Sequence, residues 1–291
     1  MVNGLRGDAY RIAPQTIHQT ALQITNFSLY PIAAITTNSI SFQEEVMKKQ
    51  TQFTILENAP LTASVYRMVL RGDTSAITAP GQFVNIALDG KFLRRPISVC
   101  DYDASTLTLI YKVVGSGTAQ LSAMGGGTLD ILTGLGNGYD ISAAGDAPVL
   151  IGGGVGVPPM YRLAKDLTAM GKTVSVILGF NTGSEIFLRE EFEALGCKVI
   201  VTTADGSVGL RGFVTDALKD MDYSYFYACG PEPMLKAVYK ASKTPGQMSF
   251  EERMGCGFGA CMGCSCKTLT GYKRICKDGP VMKKEEIQWE D

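Results

Sequence analysis

The segment Leu150–Met160, LIGGGVGVPPM, decides how the rest of the chain is read. An apolar run suited to a buried strand passes into Gly152, Gly153, Gly154 and Gly156 and then into Pro158 and Pro159. A helix can begin there, because a missing N–H costs little in a first helical turn. Glycines let the backbone approach a pyrophosphate closely, and the helix dipole favours its charge. The spacing is not the G-x-G-x-x-G fingerprint, so a tight strand-to-helix turn stands as the other reading.

Downstream, the same alternation repeats. APVLIGGG (147–154), TVSVILGF (173–180), CKVIVTTAD (197–205) and YSYFYACG (223–230) are candidate buried strands, each followed by a helical stretch. Strands alternating with helices predict a parallel sheet with right-handed crossovers. Ligands of such sheets sit beyond the carboxyl ends of the strands, which puts Cys229 and Gly230 of YACGPEPM on the same rim as the first glycine turn. Asp205, in TTADGS, ends a third strand on that rim. Its carboxylate suits a ribose and disfavours a 2′-phosphate, which favours NAD over NADP. A turn-forming Asp-Gly is the alternative.

Upstream, the period changes from helix-and-strand to strand alone. QFTILEN (52–58), SVYRMVLRG (64–72), QFVNIAL (82–88) and LTLIYKVV (107–114) are short runs rich in Val, Ile, Phe, Tyr and Thr, separated by Gly, Pro, Asp and Asn. They predict an antiparallel barrel. Within RRPISVCD (94–101), Arg95 suits bidentate pairing with a phosphate and Ser98 adds a hydroxyl. GSGTAQLS (115–122) puts Gly117 and Thr118 where a helix begins and offers backbone N–H groups to an anion. A solvated strand edge and a plain turn are the bland readings of these two stretches.

The chain has 291 residues, 45% of them hydrophobic and 19% charged, with a net charge of −1. That is the balance of a soluble globular protein of two ordinary domains and an appendage, with no electrostatic reason to expect nucleic acid. No apolar run is long enough to span a membrane, and no signal peptide is evident, so the cytoplasm is expected. Residues 1–46 carry no motif and read either as a disordered extension or as an over-extended start before Met47. The remainder divides into a barrel over 47–145, a nucleotide domain over 146–246 and a cysteine-rich tail over 247–291.

In the tail, Cys256, Cys261 and Cys264 are spaced C-x4-C-x2-C, and Cys276 follows after eleven residues. This is the plant-type ligand order for a [2Fe–2S] cluster. Zinc is the rival for four thiolates, although zinc sites usually show two separated C-x2-C pairs. Cys266 is left over, as a small buried hydrophobe or a substitute ligand. Lys267, Lys273, Arg274, Lys277, Lys283 and Lys284 offset the cluster's negative charge, form a docking face or simply make a solvated surface.

Together, RRPIS, GGGVGVPPM, CGPEPML, ERMGCGFGACMGCSCKT and YKRICKDGPV resemble the ferredoxin-reductase family, and within it the electron-transfer subunits of type B dihydroorotate dehydrogenase. The match runs from roughly Gln52 to Val281. The resemblance implies that Arg95, Pro96, Ile97, Ser98, Ile110, Tyr111 and Lys112 bind FAD, with Gly117 and Thr118 at its phosphates. It puts Cys229 and Gly230 near the nicotinamide. It also implies a separate FMN-bearing catalytic subunit, two copies of each chain, and electrons running from dihydroorotate through [2Fe–2S] and FAD to NAD in pyrimidine biosynthesis. Such chemistry needs little acid or base from the protein, and the sequence has a single histidine, His18. The rivals are an FAD and [2Fe–2S] subunit of another flavoenzyme complex, of the sulfide dehydrogenase or ferredoxin–NADP transhydrogenase type, and a zinc-stabilised binding module without redox activity.

Overall fold

The computed structural model describes residues 48–289, so the expected poor order of residues 1–46 lies outside the described residues. Strands β1 (Lys49–Pro60), β2 (Val65–Arg71), β3 (Phe83–Ile86), β4 (Arg95–Tyr102), β5 (Thr106–Lys112) and β6 (Thr128–Leu135) close into an antiparallel barrel in the order β1-β2-β5-β4-β3-β6. The period-two alternation of the sequence is what closes it. Phe53 and Ile55, Met68 and Leu70, Val84 and Ile86, Leu107 and Leu109, and Leu129 and Ile131 all point into one core. Helix α1 (Ser116–Ser122) closes one end of the barrel by burying Leu121 completely in that core.

The second part is built from β7 (Val149–Gly153), α2 (Pro158–Ala169), β8 (Ser175–Phe180), α3 (Arg189–Ala194), β9 (Lys198–Thr203), β10 (Leu210–Arg211), α4 (Val214–Leu218), β11 (Phe226–Cys229), α5 (Glu232–Ala241) and β12 (Gly246–Ser249). Its sheet runs β10-β9-β8-β7-β11-β12, all parallel. The tail adds a hairpin, β13 (Ser265–Thr268) and β14 (Gly271–Arg274), then α6 (Ile275–Asp278) and β15 (Val281–Lys283). Strand β15 pairs antiparallel with β12, so the tail supplies the seventh strand of the nucleotide sheet.

Neither β12 nor β15 is announced by the sequence. In β12, Gln247 and Ser249 are polar yet buried. Gln247 is tolerated there because its amide is fully used: Nε2 donates to the Asp140 carbonyl (3.0 Å) and to the Tyr225 hydroxyl (3.1 Å), and Oε1 accepts from the Asp140 N–H (2.9 Å). A pattern of apolar residues cannot reveal a strand whose polar side chains are satisfied by a loop from the barrel.

Barrel and sheet share apolar packing. Val65, Cys100 and Ile110, from the outer face of the barrel, join Met160, Leu163 and Leu178 in one buried cluster. Polar contacts hold α2 on β4: Lys165 pairs with Asp101 (2.8 Å), and the Arg162 guanidinium lies 3.9 Å over the Tyr102 ring. Replacing Leu121 with alanine should cost about 2–5 kcal/mol of stability, because the barrel end cannot collapse onto the void. Urea denaturation of the variant checks this; an unchanged midpoint would mean that α1 does not close the core.

Candidate functional site

At one end of the barrel, Arg95 opens β4 and crosses the first turn of α1. A Cβ on Gly117 would sit 2.0 Å from Arg95 Nε, so any side chain there would push the guanidinium out of this position. The two adjacent arginines have different fates. Arg94 forms an ion pair with Asp130 at 2.6 Å, whereas Arg95 donates only to the carbonyls of Leu93 and Arg94 and meets no carboxylate among the described residues. Thr118 Oγ1 accepts from the N–H groups of Val114 (2.9 Å) and Gly115 (3.2 Å), so its hydroxyl shapes the loop entering α1. Phe92 beside this loop is fully solvent-exposed and Val114 nearly so. An unpaired cation against a cradle that a Cβ would fill, with apolar side chains standing in solvent, fits a pyrophosphate joined to a flat apolar ring. These residues suit FAD.

The other expected flavin residues divide by strand face. Ile97 packs against the barrel core, while Pro96 and Ser98 lie half-buried on the opposite face of β4. Tyr111 points into the barrel, where its ring stacks on Tyr66 and its hydroxyl donates to Asn58 Oδ1 (2.9 Å); Ile110 faces outward. Burial pushes the Tyr111 phenol up to about 12. Any part Tyr111 takes in flavin binding therefore falls to its backbone. Lys112 emerges from the barrel and lines a second feature.

That feature is a cleft of about 650 Å³ over the carboxyl ends of the parallel strands. It runs from Lys112 and Gly153–Gly156 to Asn181, Glu185 and Phe213. The glycines do different work. A Cβ on Gly156 would lie 2.2 Å from the Cys229 carbonyl, and one on Gly152 would lie 2.9 Å from Val157 Cα, so these two permit close backbone packing. Gly154 has φ +53° and nothing within 4 Å of its Cβ position, which leaves an open turn facing the cleft. Gly230 lies under Met234.

Gly152 and Gly230 do not line the cleft themselves, and two further expected residues stand away from it. Cys229 is buried in the cluster shared with the barrel, and burial pushes its thiol up to about 12, so it is a packed strand-end thiol. Asp205 does not line the cleft either: its Oδ1 accepts from the N–H (2.9 Å) and hydroxyl (2.6 Å) of Ser207, the turn expected of Asp-Gly-Ser. These same bonds lower its pKa.

In the tail the four expected cysteines come together as two pairs. Cys261 N–H points at Cys256 Sγ (3.4 Å) and Cys256 N–H at Cys261 Sγ (3.4 Å), while Cys276 N–H points at Cys264 Sγ (3.4 Å). Ala260 N–H (3.2 Å, to Cys256) and Gly263 N–H (3.5 Å, to Cys261) add further donors. Desolvation raises the Cys256 thiol, but backbone N–H groups of Cys261, Phe258 and Ala260 outweigh it and bring it down to about 6. Burial and the neighbouring Cys264 push Cys276 up to about 12. Two sulfur pairs ringed by amides suit two irons with two thiolates each. No three Cys, His, Asp or Glu side chains among the described residues converge on a point that would hold one ion. Cys266 is apart, on β13 among apolar neighbours, with its thiol raised by burial.

Three residues tie down the cluster loop, and of these Asn85 went unread in the sequence. Buried Asn85, on β3 of the barrel, donates through Nδ2 to the Cys256 carbonyl (3.4 Å), tying the loop to the strand that pairs with Pro96. Gly257 makes this contact possible: it has φ +78°, and a Cβ there would fall 2.3 Å from Asn85 Nδ2. Arg274 pairs with Asp278 (2.8 Å) and donates to the Gly259 carbonyl (3.0 Å). A lone Asn in a strand carries no signal that would single it out.

Known proteins match this arrangement part by part. Residues 251–288 match the family described as the iron–sulfur cluster binding domain of dihydroorotate dehydrogenase B, and residues 150–240 the oxidoreductase NAD-binding domain. The electron transfer subunit of dihydroorotate dehydrogenase B (NAD(+)) from Geobacillus sp. strain WCH70 is 43% identical over 83% of this chain and 99% of that protein. The corresponding subunit from Fusobacterium nucleatum is 41% identical over 81% and 98%. A chain of the NADH-dependent reduced ferredoxin–NADP oxidoreductase superposes with a TM-score of 0.74 at 30% identity, over 83% of this chain and 91% of that one. A ferredoxin–NADP+ reductase of Neisseria gonorrhoeae, solved with FAD and NADP, shares the fold with a TM-score of 0.60 at 19% identity, over 66% and 90%.

Gly257→Ala should leave the barrel folded and strip iron from the tail; full iron content in the variant would mean the loop does not need to close on Asn85. In metal-free protein, iodoacetamide labelling of Cys256 should rise through pH about 6 and then level off. Cys276, at about 12, should stay unlabelled over that range. Peptide mass spectrometry across a pH series reads both sites.

Proposed function

The chain belongs to the family of dihydroorotate dehydrogenase B electron-transfer subunits, and on that premise we propose that it carries electrons from dihydroorotate oxidation in a catalytic partner, through [2Fe–2S] and FAD, to NAD. The observation that carries this reading is the Asn85 contact, which joins the four-cysteine loop to the barrel that presents Arg95. When bound, the flavin exchanges electron pairs with nicotinamide and the cluster passes electrons singly, so the two together convert one mode into the other.

The protein's own work is to bind, space and shield. Arg95 holds the flavin pyrophosphate, with the first turn of α1 opposite it and Gly117 keeping the approach open. Cys256 with Cys261, and Cys264 with Cys276, hold the two irons, and the surrounding N–H groups stabilise the thiolates. Gly153, Gly154 and Lys112 receive the nicotinamide nucleotide at the barrel end of the cleft. The described residues include no histidine, in keeping with a reaction that asks for orientation more than proton transfer.

The catalytic partner carries FMN in this reading, and two copies of each chain assemble in the cytoplasm. No helix among the described residues is long and apolar enough to cross a membrane. Phe258, Met262 and Tyr272, exposed around the cysteine loop, give the partner an apolar surface on which to dock close to the cluster.

Two variants separate the cofactors. Gly117→Ala should weaken flavin binding by about tenfold or more, about 1.4 kcal/mol, by pushing Arg95 aside, while iron content stays normal. Cys261→Ala should do the reverse, abolishing cluster assembly and NAD-linked turnover while FAD is retained. Flavin and iron counted per chain read both, and loss of both groups in either variant would contradict separate sites.

A further inference from the structure

Strand β3 shows its two faces to different parts of the molecule. Val84 and Ile86 point into the barrel, whereas Phe83 and Asn85 face outward, where the tail is seated. Phe83 shares a buried apolar cluster with Cys264, Ile275 and Cys276, which is ordinary core packing. Asn85 is 1% exposed and donates through Nδ2 to the Cys256 carbonyl (3.4 Å), yet its Oδ1 is buried and meets no donor among the described residues. A buried acceptor left unpaired is costly. Leucine would fill a similar volume without that cost, so packing alone does not explain the amide.

Its orientation is fixed by what surrounds it. Turning the amide over would set Oδ1 against the Cys256 carbonyl, two acceptors facing each other, so Nδ2 is the atom that faces the loop. Asn85 pairs with Pro96 on β4 and Leu132 on β6, and its carbonyl accepts from Arg94 (3.2 Å), which is itself ion-paired with Asp130. The far side of the loop shows what such a contact does. There the Gly259 carbonyl accepts from Arg274 (3.0 Å), and the N–H of the same peptide, on Ala260, donates to Cys256 Sγ (3.2 Å). A trans peptide is planar, so its carbonyl and N–H point in opposite directions, and a donor that holds the carbonyl outside the loop aims the N–H at sulfur.

We propose that Asn85 is a positioning residue that raises the reduction potential of the cluster by fixing the peptide between Cys256 and Gly257. The inference rests on the four cysteines holding a [2Fe–2S] cluster. With the Cys256 carbonyl held toward β3, the Gly257 N–H is turned the other way, into a loop whose N–H groups on Cys256, Ala260, Cys261 and Gly263 already point at sulfur. Hydrogen bonds to sulfur stabilise the reduced, more negative form of an iron–sulfur centre and so raise its potential. Gly257, at φ +78°, has no side chain to hold its peptide in one orientation, and the amide from β3 supplies that restraint. The barrel residue that ties the tail down therefore also sets how readily the cluster accepts an electron.

The test uses the chain with its flavin and cluster bound, and reads the electron paramagnetic resonance signal of the reduced cluster at a series of poised potentials. In Asn85→Leu, iron and flavin per chain should stay at wild-type values. At the wild-type midpoint, however, the ratio of reduced to oxidised cluster should fall about tenfold, equivalent to about 59 mV for one electron. The flavin midpoint, read in the same samples from its visible band, should not move. If Asn85→Leu does not take up iron, Asn85→Ala, also neutral and without a donor, should show the same fall. An iron-replete variant with the wild-type cluster potential would overturn the role of Asn85 and leave the cluster's assignment standing. So would loss of iron in both variants, which would make Asn85 a residue of assembly alone, or an equal fall of both midpoints, which would mean a general loosening of the fold. If the reduced wild type gives no iron–sulfur signal, the reading of the four cysteines falls and the inference with it.

Discussion

Residues 136–140, between the barrel and the nucleotide sheet, hydrogen-bond to the barrel, the sheet and the tail alike. Toward the barrel, the Gly136 carbonyl accepts from Gln82 Nε2 (3.0 Å) and Tyr139 N–H donates to the Pro80 carbonyl (2.7 Å). Toward the tail, Asn137 imitates a strand with its side chain, donating from Nδ2 to the Val281 carbonyl (2.7 Å) and accepting the Val281 N–H on Oδ1 (3.1 Å). Toward the sheet, Tyr139 donates to the Ala228 carbonyl (3.0 Å), and Tyr227 to the Asp140 carbonyl (2.9 Å). Each such bond contributes on the order of 1 kcal/mol. Their joint effect is geometric: three cofactor-binding parts are fixed around one segment, and electron transfer depends on fixed separations.

Close approach is the second constraint, and glycine is the residue that grants it. Gly117 admits Arg95, Gly156 admits the Cys229 carbonyl and Gly257 admits Asn85. Gly117 does so within the barrel and Gly156 within the nucleotide domain, while Gly257 joins the tail to the barrel. The cysteine loop adds an electrostatic version of the same economy, because its backbone N–H groups are turned toward sulfur. A loop that folds around thiolates spends its donors on them and needs few charged side chains, so the basic residues of the tail are free for other work. Lys273 pairs with Glu286, and Lys284 donates to the Ser242 carbonyl.

How much of this was legible depended on whether a feature repeats. The barrel and the parallel sheet came through because β1, β2, β5, β7, β8 and β9 carry long runs at a single period. The four cysteines came through because ligand spacing is itself a geometric statement. What stayed hidden was made by single contacts over long sequence separations. Gln247 is buried because a loop more than a hundred residues earlier satisfies it, and Asn85 touches a carbonyl 171 residues away. Asp205 and Glu185 show the same limit from the other side. Both are acids in the turns that follow strands, and only the path of the chain shows which of them lines the cleft.

In the proposed relay, one chain passes electrons between a dihydroorotate-oxidising partner and NAD. Its most direct test is the visible spectrum of the anaerobic complex with that partner, recorded after dihydroorotate and again after NAD+. Flavin and iron–sulfur bands should both bleach with dihydroorotate and both recover with NAD+. Bands that ignore dihydroorotate yet bleach with NADH would contradict it, leaving the cofactors in place and the partner wrong.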